Sequence, residues 1–231
     1  MSKILEELEE IVGKGRIKRD EPMDLHTAQK IGGIAEYYIE VEKLDELIKI
    51  VRHARNLGVA LLVFGSGSRV KMPEQGVAGL LIKNNCRRFD KASMKGKIRD
   101  NQVGVQEVLV SAEAGVPMNQ LVRFSIEEGL EGLEYQLGMP GTVGGALYTN
   151  AKYAPKNIYA RSHLFSLSLL DKTGEVQSFT KDLPHFLFTD DEFAETEEVI
   201  LSAVFKLLPY DKKILWQRGR EAVEYRSGQN G

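Results

Sequence analysis

The sequence predicts an α+β fold in two subdomains, and three observations carry that prediction. Residues 36–83 read as strand, helix, strand, glycine turn and strand, the layout of a small α/β unit. A second series of strand and helix signals starts at Glu107 and ends in a long apolar strand followed by a helix. The length, 231 residues, leaves room for one large domain or two small ones.

Each element has its own signal. Ile4, Leu5, Leu8, Ile11 and Val12 fall at helical spacing with acids between them, and Gly13 suits the stop. EYYIE, 36–40, reads as a strand, with Tyr37 and Tyr38 facing one in and one out. Leu44, Leu47, Ile48, Val51 and Ala54 mark a second helix that closes near Gly58. ALLVF, 60–64, reads as a short buried strand, and GLLIK, 79–83, as another. The charged interval 87–102 shows no periodicity and reads as strand fragments and loops. EVLVSAEAG, 107–115, is a strand. Pro117 suits the first turn of the helix after it, with Leu121, Val122, Ser125 and Ile126 inward and Gly129 at its end. Residues 164–170 and 175–180 read as an antiparallel pair about Lys172-Thr173-Gly174. VILSAVFKLL, 199–208, is a last strand stopped by Pro209. A final helix follows over 212–225, and the tail SGQNG reads as its stop. Trp216, Ile214, Leu215, Ala222 and Val223 on that helix either pack on the sheet or form a docking face.

Composition narrows the function classes. Hydrophobic residues make 42% and charged residues 28%, as in soluble globular proteins. A net charge of −2 gives no nucleic-acid surface. Cys86 is the single cysteine, so an intrachain disulfide and a cysteine-rich metal site are excluded. A core position fits it best. The four histidines, His26, His53, His163 and His185, lack metal-ligand spacing. Neither a secretory leader nor an apolar run of about 18 residues occurs, so a cytoplasmic chain without a membrane span is expected. The acidic run DDEFAETEE, 190–198, reads as a solvated loop before it reads as a partner patch.

Two glycine-rich stretches carry the functional interest. GSGS (Gly65, Ser66, Gly67, Ser68) follows a strand directly, and Arg69 comes next. Backbone N–H groups in such a turn can form an anion nest, with serine hydroxyls and an arginine charge beside it. It matches neither a G-x-G-x-x-G fingerprint nor a Walker loop, and a plain connector is the bland reading. The second stretch is Gly138, Met139, Pro140, Gly141, Thr142, Val143, Gly144, Gly145 and Ala146, followed shortly by Asn150. So bare a backbone suits close contact with a flat ligand, or a crossover packed tightly under another element. Glycine counts leave both open.

VFGSGSRV, followed by GLEGLEYQLGMPGTVGGALYTN, resembles the UDP-N-acetylenolpyruvoylglucosamine reductase (UDP-N-acetylmuramate dehydrogenase) family. HTAQKIGGIAEYYIE and VSAEAG support the likeness, which runs from about His26 to Leu208. The resemblance implies a bipartite FAD-binding fold of the vanillyl-alcohol oxidase type, a small α/β subdomain and a larger α+β one with FAD extended between them. The implied domains are an N-terminal helix and lead-in over 1–25, FAD-binding subdomains over 26–85 and 86–209, and a C-terminal helix over 210–231. Gly65, Ser66, Gly67, Ser68 and Arg69 would hold the pyrophosphate. Gly138, Met139, Pro140, Gly141, Thr142, Gly144, Gly145, Ala146 and Asn150 would line the flavin and its phosphate chain. By the same likeness, NADPH reduces FAD, and the flavin passes hydride to a UDP-N-acetylglucosamine enolpyruvate in peptidoglycan synthesis. An Arg stabilises the intermediate, a Ser gives the proton and a Glu assists.

The sequence departs from that pattern in three places. In FLFTDDEF, 186–193, Phe188 stands at the family Tyr and Thr189 at the family Arg, so no catalytic residue is matched, and Asp190, Asp191 and Glu192 add negative charge. The family's Asn-Ala-Gly-Ala-Tyr-Gly is here Asn150-Ala151-Lys152-Tyr153-Ala154-Pro155, and its GxGSN Asn is Arg69. The Ser and Glu belong to a third, substrate-binding domain, which is expected to be absent from a chain ending at Gly231. Three readings follow. The chain is an abbreviated FAD-dependent reductase whose missing domain is replaced or supplied by a separate chain. It is a non-catalytic paralogue acting as a flavin-binding or protein-interaction module. Or it is another flavin oxidoreductase on the same scaffold.

Overall fold

A computed structural model describes residues 3–70, 72–99, 102–180 and 197–229, with side chains outside 96–105 and 229. The chain divides into two compact units, Met1–Cys86 with Leu170–Val176, and Arg87–Leu169 with Gln177–Gly231. FLFTDDEF, including Thr189, lies outside the described residues, as does His185.

The first unit opens with helix α1 (Lys3–Val12), which buries Leu5, Leu8 and Val12 and ends where Gly13 turns left-handed at φ 95°. Strand β1 (Lys18–Pro22) leads to β2 (Ile34–Val41), helix α2 (Leu44–Asn56), β3 (Leu61–Phe64) and β4 (Val77–Asn84). The sheet order is β1-β2-β4-β3. β1 runs antiparallel to β2, with Lys18 opposite Tyr38. β2 and β3 run parallel to β4, with Tyr38 opposite Leu81 and Leu61 opposite Leu80. α2 carries the chain back between two parallel strands, as a crossover must. Its buried face is Leu47, Ile50, Val51 and Ala54. Lys83 to Cys86 closes the unit, and Cys86 is wholly buried with its Sγ 3.7 Å from the Val41 carbonyl oxygen.

Two expectations are corrected here. Tyr37 and Tyr38 are both buried, at 4% and 1% exposure, because β2 is an inner strand covered on both faces. β3 is half-exposed rather than buried, Leu62 being open to solvent, because it sits at the sheet edge and pairs with β4 alone.

The second unit is built on a sheet whose strands lie in the order Val176–Phe179 (β11), Leu164–Leu170 (β10), Val199–Pro209 (β12), Gln102–Glu113 (β6) and Phe89–Arg99 (β5). β5 (Phe89–Arg99) and β6 (Gln102–Glu113) form a long antiparallel hairpin where the sequence suggested fragments and loops. KASMKGKIR hides this strand because β5 is an edge strand, and lysines at an edge block further pairing instead of filling a core. Helix α3 (Met118–Glu127), the two-residue strand β7 (Leu130–Glu131), a 3-10 turn (Glu134–Gln136) and the short helix α4 (Val143–Tyr148) follow. Then come β8 (Lys152–Tyr153), β9 (Ile158–Tyr159), β10 (Leu164–Leu170), β11 (Val176–Phe179), β12 (Val199–Pro209) and helix α5 (Lys212–Gln229). β12 lies antiparallel to β6, Phe205 opposite Val110. Their inward side chains meet Leu121, Leu167 and Leu215 in one core.

The final helix packs on this core: Leu215 and Ala222 are fully buried, Trp216 and Val223 rest against the cluster, and Ile214 stays exposed. It also continues through Ser227, Gly228 and Gln229, which the sequence marked as a stop. The Ser227 hydroxyl donates to the Val223 carbonyl at 3.0 Å, so the serine is absorbed into the helix. No described helix is long and apolar enough to cross a membrane.

Candidate functional site

In the first unit, the GSGS turn leaves β3 and folds onto the chain ahead of β2. Gly67 has φ 69°, and a Cβ there would lie 2.2 Å from the His26 carbonyl oxygen. Its own carbonyl accepts from the Ala28 N–H at 3.1 Å. Only glycine fits that conformation and that approach. Thr27 locks the facing segment, its hydroxyl donating to the Ile31 carbonyl at 2.8 Å and accepting from the Ile31 N–H at 3.2 Å. Ser66 and Arg69 are exposed and Ser68 is half-buried.

Behind the turn, the His26 ring enters a polar cluster that sequence reading missed. Its Nε2 lies 2.8 Å from Glu21 Oε1, and its Nδ1 lies 3.0 Å from the Tyr38 hydroxyl, with the two rings stacked. Tyr38 donates to Glu40 Oε1 at 2.7 Å, and Lys83 donates to the same oxygen at 3.2 Å. Burial, reinforced by the Glu40 acceptor, pushes the Tyr38 phenol far up. Burial alone would raise both carboxyls. Lys18 and His26 outweigh it at Glu21, and Tyr38 and Lys83 outweigh it at Glu40, so both lie below the ordinary 4.5. The period-2 pattern of β2 gives no hint of this cluster, because its members come from four separate segments.

In the second unit, the structure sorts the glycines of the 138–146 segment by role. Gly138 has φ 82°, and a Cβ would lie 2.9 Å from Val223 Cγ2. Gly141 has φ 120°. Gly144 packs on β6's end, where a Cβ would lie 2.8 Å from the Cβ of Ala114, and its N–H donates to the Ala114 carbonyl at 2.8 Å. These three glycines are taken up by the chain's own turns and packing. Gly145 does not. It is exposed, its backbone is ordinary for helix, and a Cβ would meet only the Thr142 Oγ1, at 3.6 Å.

The rest of the segment is held from inside. Thr142 is buried and caps α4, accepting from the Gly145 N–H at 3.3 Å. Met139 and Ala146 are buried, and Pro140 is exposed. Asn119, one residue into α3, accepts from the Gly138 N–H at 2.6 Å and donates to the Met139 carbonyl at 3.2 Å. Its only sequence signal is an amide in the first turn of a helix. At the far end of α4, Arg161 is buried and donates to the Leu147 carbonyl at 2.8 Å and the Tyr148 carbonyl at 3.2 Å. Asn150 adopts φ 42°, a conformation asparagine tolerates. Its side-chain oxygen is buried and has no hydrogen-bond partner. An acceptor left so is costly, on the order of 1–3 kcal/mol. Among the described residues, no three His, Cys, Asp or Glu side chains are placed to hold one metal ion.

The chain's relatives agree with this architecture. Residues 35–180 match the FAD binding domain family, a span that takes in both glycine stretches. Among solved structures, UDP-N-acetylenolpyruvylglucosamine reductase from Thermus caldophilus shares the fold with a TM-score of 0.66 at 22% identity, covering 92% of this chain and 70% of that one. A variant of Phl p 4, a glucose oxidase, gives 0.65 at 16% identity over 91% of this chain and 45% of its own. At those identities the likeness is one of fold, the α+β FAD-binding type expected from the sequence. A UDP-N-acetylenolpyruvoylglucosamine reductase of Carboxydothermus hydrogenoformans is 32% identical over 225 residues, 97% of this chain and 70% of that protein. One of Clostridium tetani is 28% identical over 217 residues, 94% of this chain and 66% of that protein. The chain belongs to the UDP-N-acetylenolpyruvoylglucosamine reductase family. It spans a little under two thirds of the length of several curated relatives, 66% of one and 63% of another.

Proposed function

We propose that the chain binds FAD and works as a flavoprotein of the reductase type after which its relatives are named. The observation that carries the reading is Gly145, a bare exposed backbone that the fold itself does not require, on the same short stretch as the orphaned Asn150 oxygen. A flat ring system fits against the glycine, whose exposed backbone admits its face. By the family resemblance, the turn from Gly65 to Arg69 would receive the pyrophosphate on backbone N–H groups and serine hydroxyls. Bound FAD would supply hydride transfer, with NADPH as the reductant. The residues described here bind and orient. The chemistry on a UDP-sugar enolpyruvate calls for further groups, supplied in this reading from outside residues 1–231, on this chain or a separate one.

A second reading, a flavin-binding protein without reductase turnover, is favoured by Thr189 at the position that matches the family Arg. One experiment addresses both. The purified chain is titrated with FAD, reduced anaerobically with NADPH, then offered UDP-N-acetylenolpyruvoylglucosamine. A bound-flavin spectrum that bleaches with NADPH and returns with the sugar nucleotide supports the first reading. Bleaching without return, both in the chain alone and with an extract of the source cells added to supply the missing groups, supports the second. No uptake of FAD overturns both.

A further inference from the structure

The geometry points to α5 as a brace that sets cofactor affinity, with Arg226 as the positioning residue that shapes the entry to the glycine segment; this rests on the FAD reading above. Arg226 donates from Nη1 to the Leu137 carbonyl at 2.7 Å and from Nη2 to the Tyr135 carbonyl at 2.8 Å. Those carbonyls lie one and three residues before Gly138, where the bare backbone begins. Val223, one turn earlier on α5, rests on the Cα face of Gly138, which is why no Cβ fits there. Asn119 of α3 also holds the Gly138 N–H and the Met139 carbonyl. Residues 135–139 are thus gripped through their main chain by two helices.

The grip is specific to arginine. A planar fork bonds two carbonyls at once and fixes their relative orientation, whereas a lysine ammonium is a single rotating point. The same guanidinium lies 5.6 Å over the Tyr153 ring, and Tyr153 stacks on Tyr135 at 5.1 Å, so the fork is held in place by the residues it orders. Arg218, two turns earlier on α5, pairs with Glu131 at 3.1 Å and Glu134 at 3.0 Å and anchors the helix to the same turn. Gly219 lets Leu137 sit against the helix, where a Cβ would lie 2.9 Å from Leu137 Cδ2. α5 is therefore fitted to residues 131–138 along its length. A segment so short of side chains has little else to fix its path, and a site misplaced by an ångström loses affinity.

The test compares the full chain with Arg226→Lys and Arg226→Met. FAD affinity is measured by titration at a temperature where circular dichroism shows each apoprotein folded, together with the bound-flavin absorption spectrum. Arg226→Met is expected to weaken FAD at least tenfold and to alter the band shape of the flavin that remains bound. Arg226→Lys is expected to restore part of the affinity. A folded Arg226→Met chain with wild-type affinity and spectrum overturns the inference and leaves the FAD reading standing, while a wild-type chain that takes no FAD overturns that reading. Hydrogen exchange tests the brace without cofactor and without a severe substitution. In apo Arg226→Lys, the Gly138 and Met139 amides should exchange several-fold faster than in wild type, and unchanged rates there overturn the brace.

Discussion

Replacing Gly145 by alanine should make the apoprotein more stable and the holoprotein harder to form. The added Cβ meets only the Thr142 hydroxyl oxygen, at 3.6 Å, an ordinary contact. The position lies inside α4 and has no left-handed backbone to strain. Thr142 keeps its bond to the residue-145 N–H, which alanine retains. What remains is helix propensity, where alanine exceeds glycine by about 0.5–1 kcal/mol. For a chain of this size that raises the apo melting temperature by roughly 1–4 °C. The same methyl group would stand on the face assigned to the flavin. Crowding a fitted contact by one methyl costs about 1–3 kcal/mol, which corresponds to FAD binding about 5- to 150-fold weaker. A thermal melt of the apoprotein and an FAD titration read the two effects separately. A higher melting temperature with unchanged FAD affinity would refute the assignment of that face. A lower melting temperature would show that the space beside Gly145 is not open.

The neighbouring glycine behaves in the opposite way. In Gly144→Ala the Cβ would fall 2.8 Å from the Cβ of Ala114, so the overlap outweighs the propensity gain and the apoprotein should lose about 1–2 kcal/mol in a denaturant titration. Gln136 is 1% exposed, and neither its side-chain nitrogen nor its oxygen has a partner. Gln136→Leu should therefore hold or raise stability, by up to roughly 2 kcal/mol, and a marked loss in the same titration would reveal an unseen partner. Glu21 and Glu40 have folded pKa values held below 4.5, so their stabilisation is complete above that pH and is lost as pH falls through the folded values. Acid titration of Tyr38→Phe, which removes a donor to Glu40, should show a shallower loss of stability below 4.5 than wild type; an identical slope would mean that Tyr38 does not hold Glu40 down.

The readable parts of this fold were those whose signal is local. α1, α2 and α3 announce themselves by apolar spacing and a closing glycine, and β4 and β12 by their apolar, β-branched content. β5 does not, because an edge strand of lysines obeys no burial period. Tyr37 and Tyr38 were read as alternating because a strand's period is visible in sequence, while the covering of its second face is not. The glycine segments were legible as places, and the family resemblance identified their kind. The work of each glycine was not legible. Gly67 depends on His26, Gly138 on Val223 and Gly144 on Ala114, partners tens of residues away in sequence. Asn119 and Arg226 were invisible for the same reason, since an amide and a guanidinium on helices say nothing about which carbonyls they will meet.

The division among the glycines bears on how such a protein ages. Gly67, Gly138, Gly141 and Gly144 answer to the architecture, so a lineage that ceased to hold a cofactor would still be selected to keep them. The glycine-rich string that marks the family would persist as a fossil long after its chemistry had gone. Position 145 answers to nothing in the fold and would be the first of them to drift toward alanine or serine.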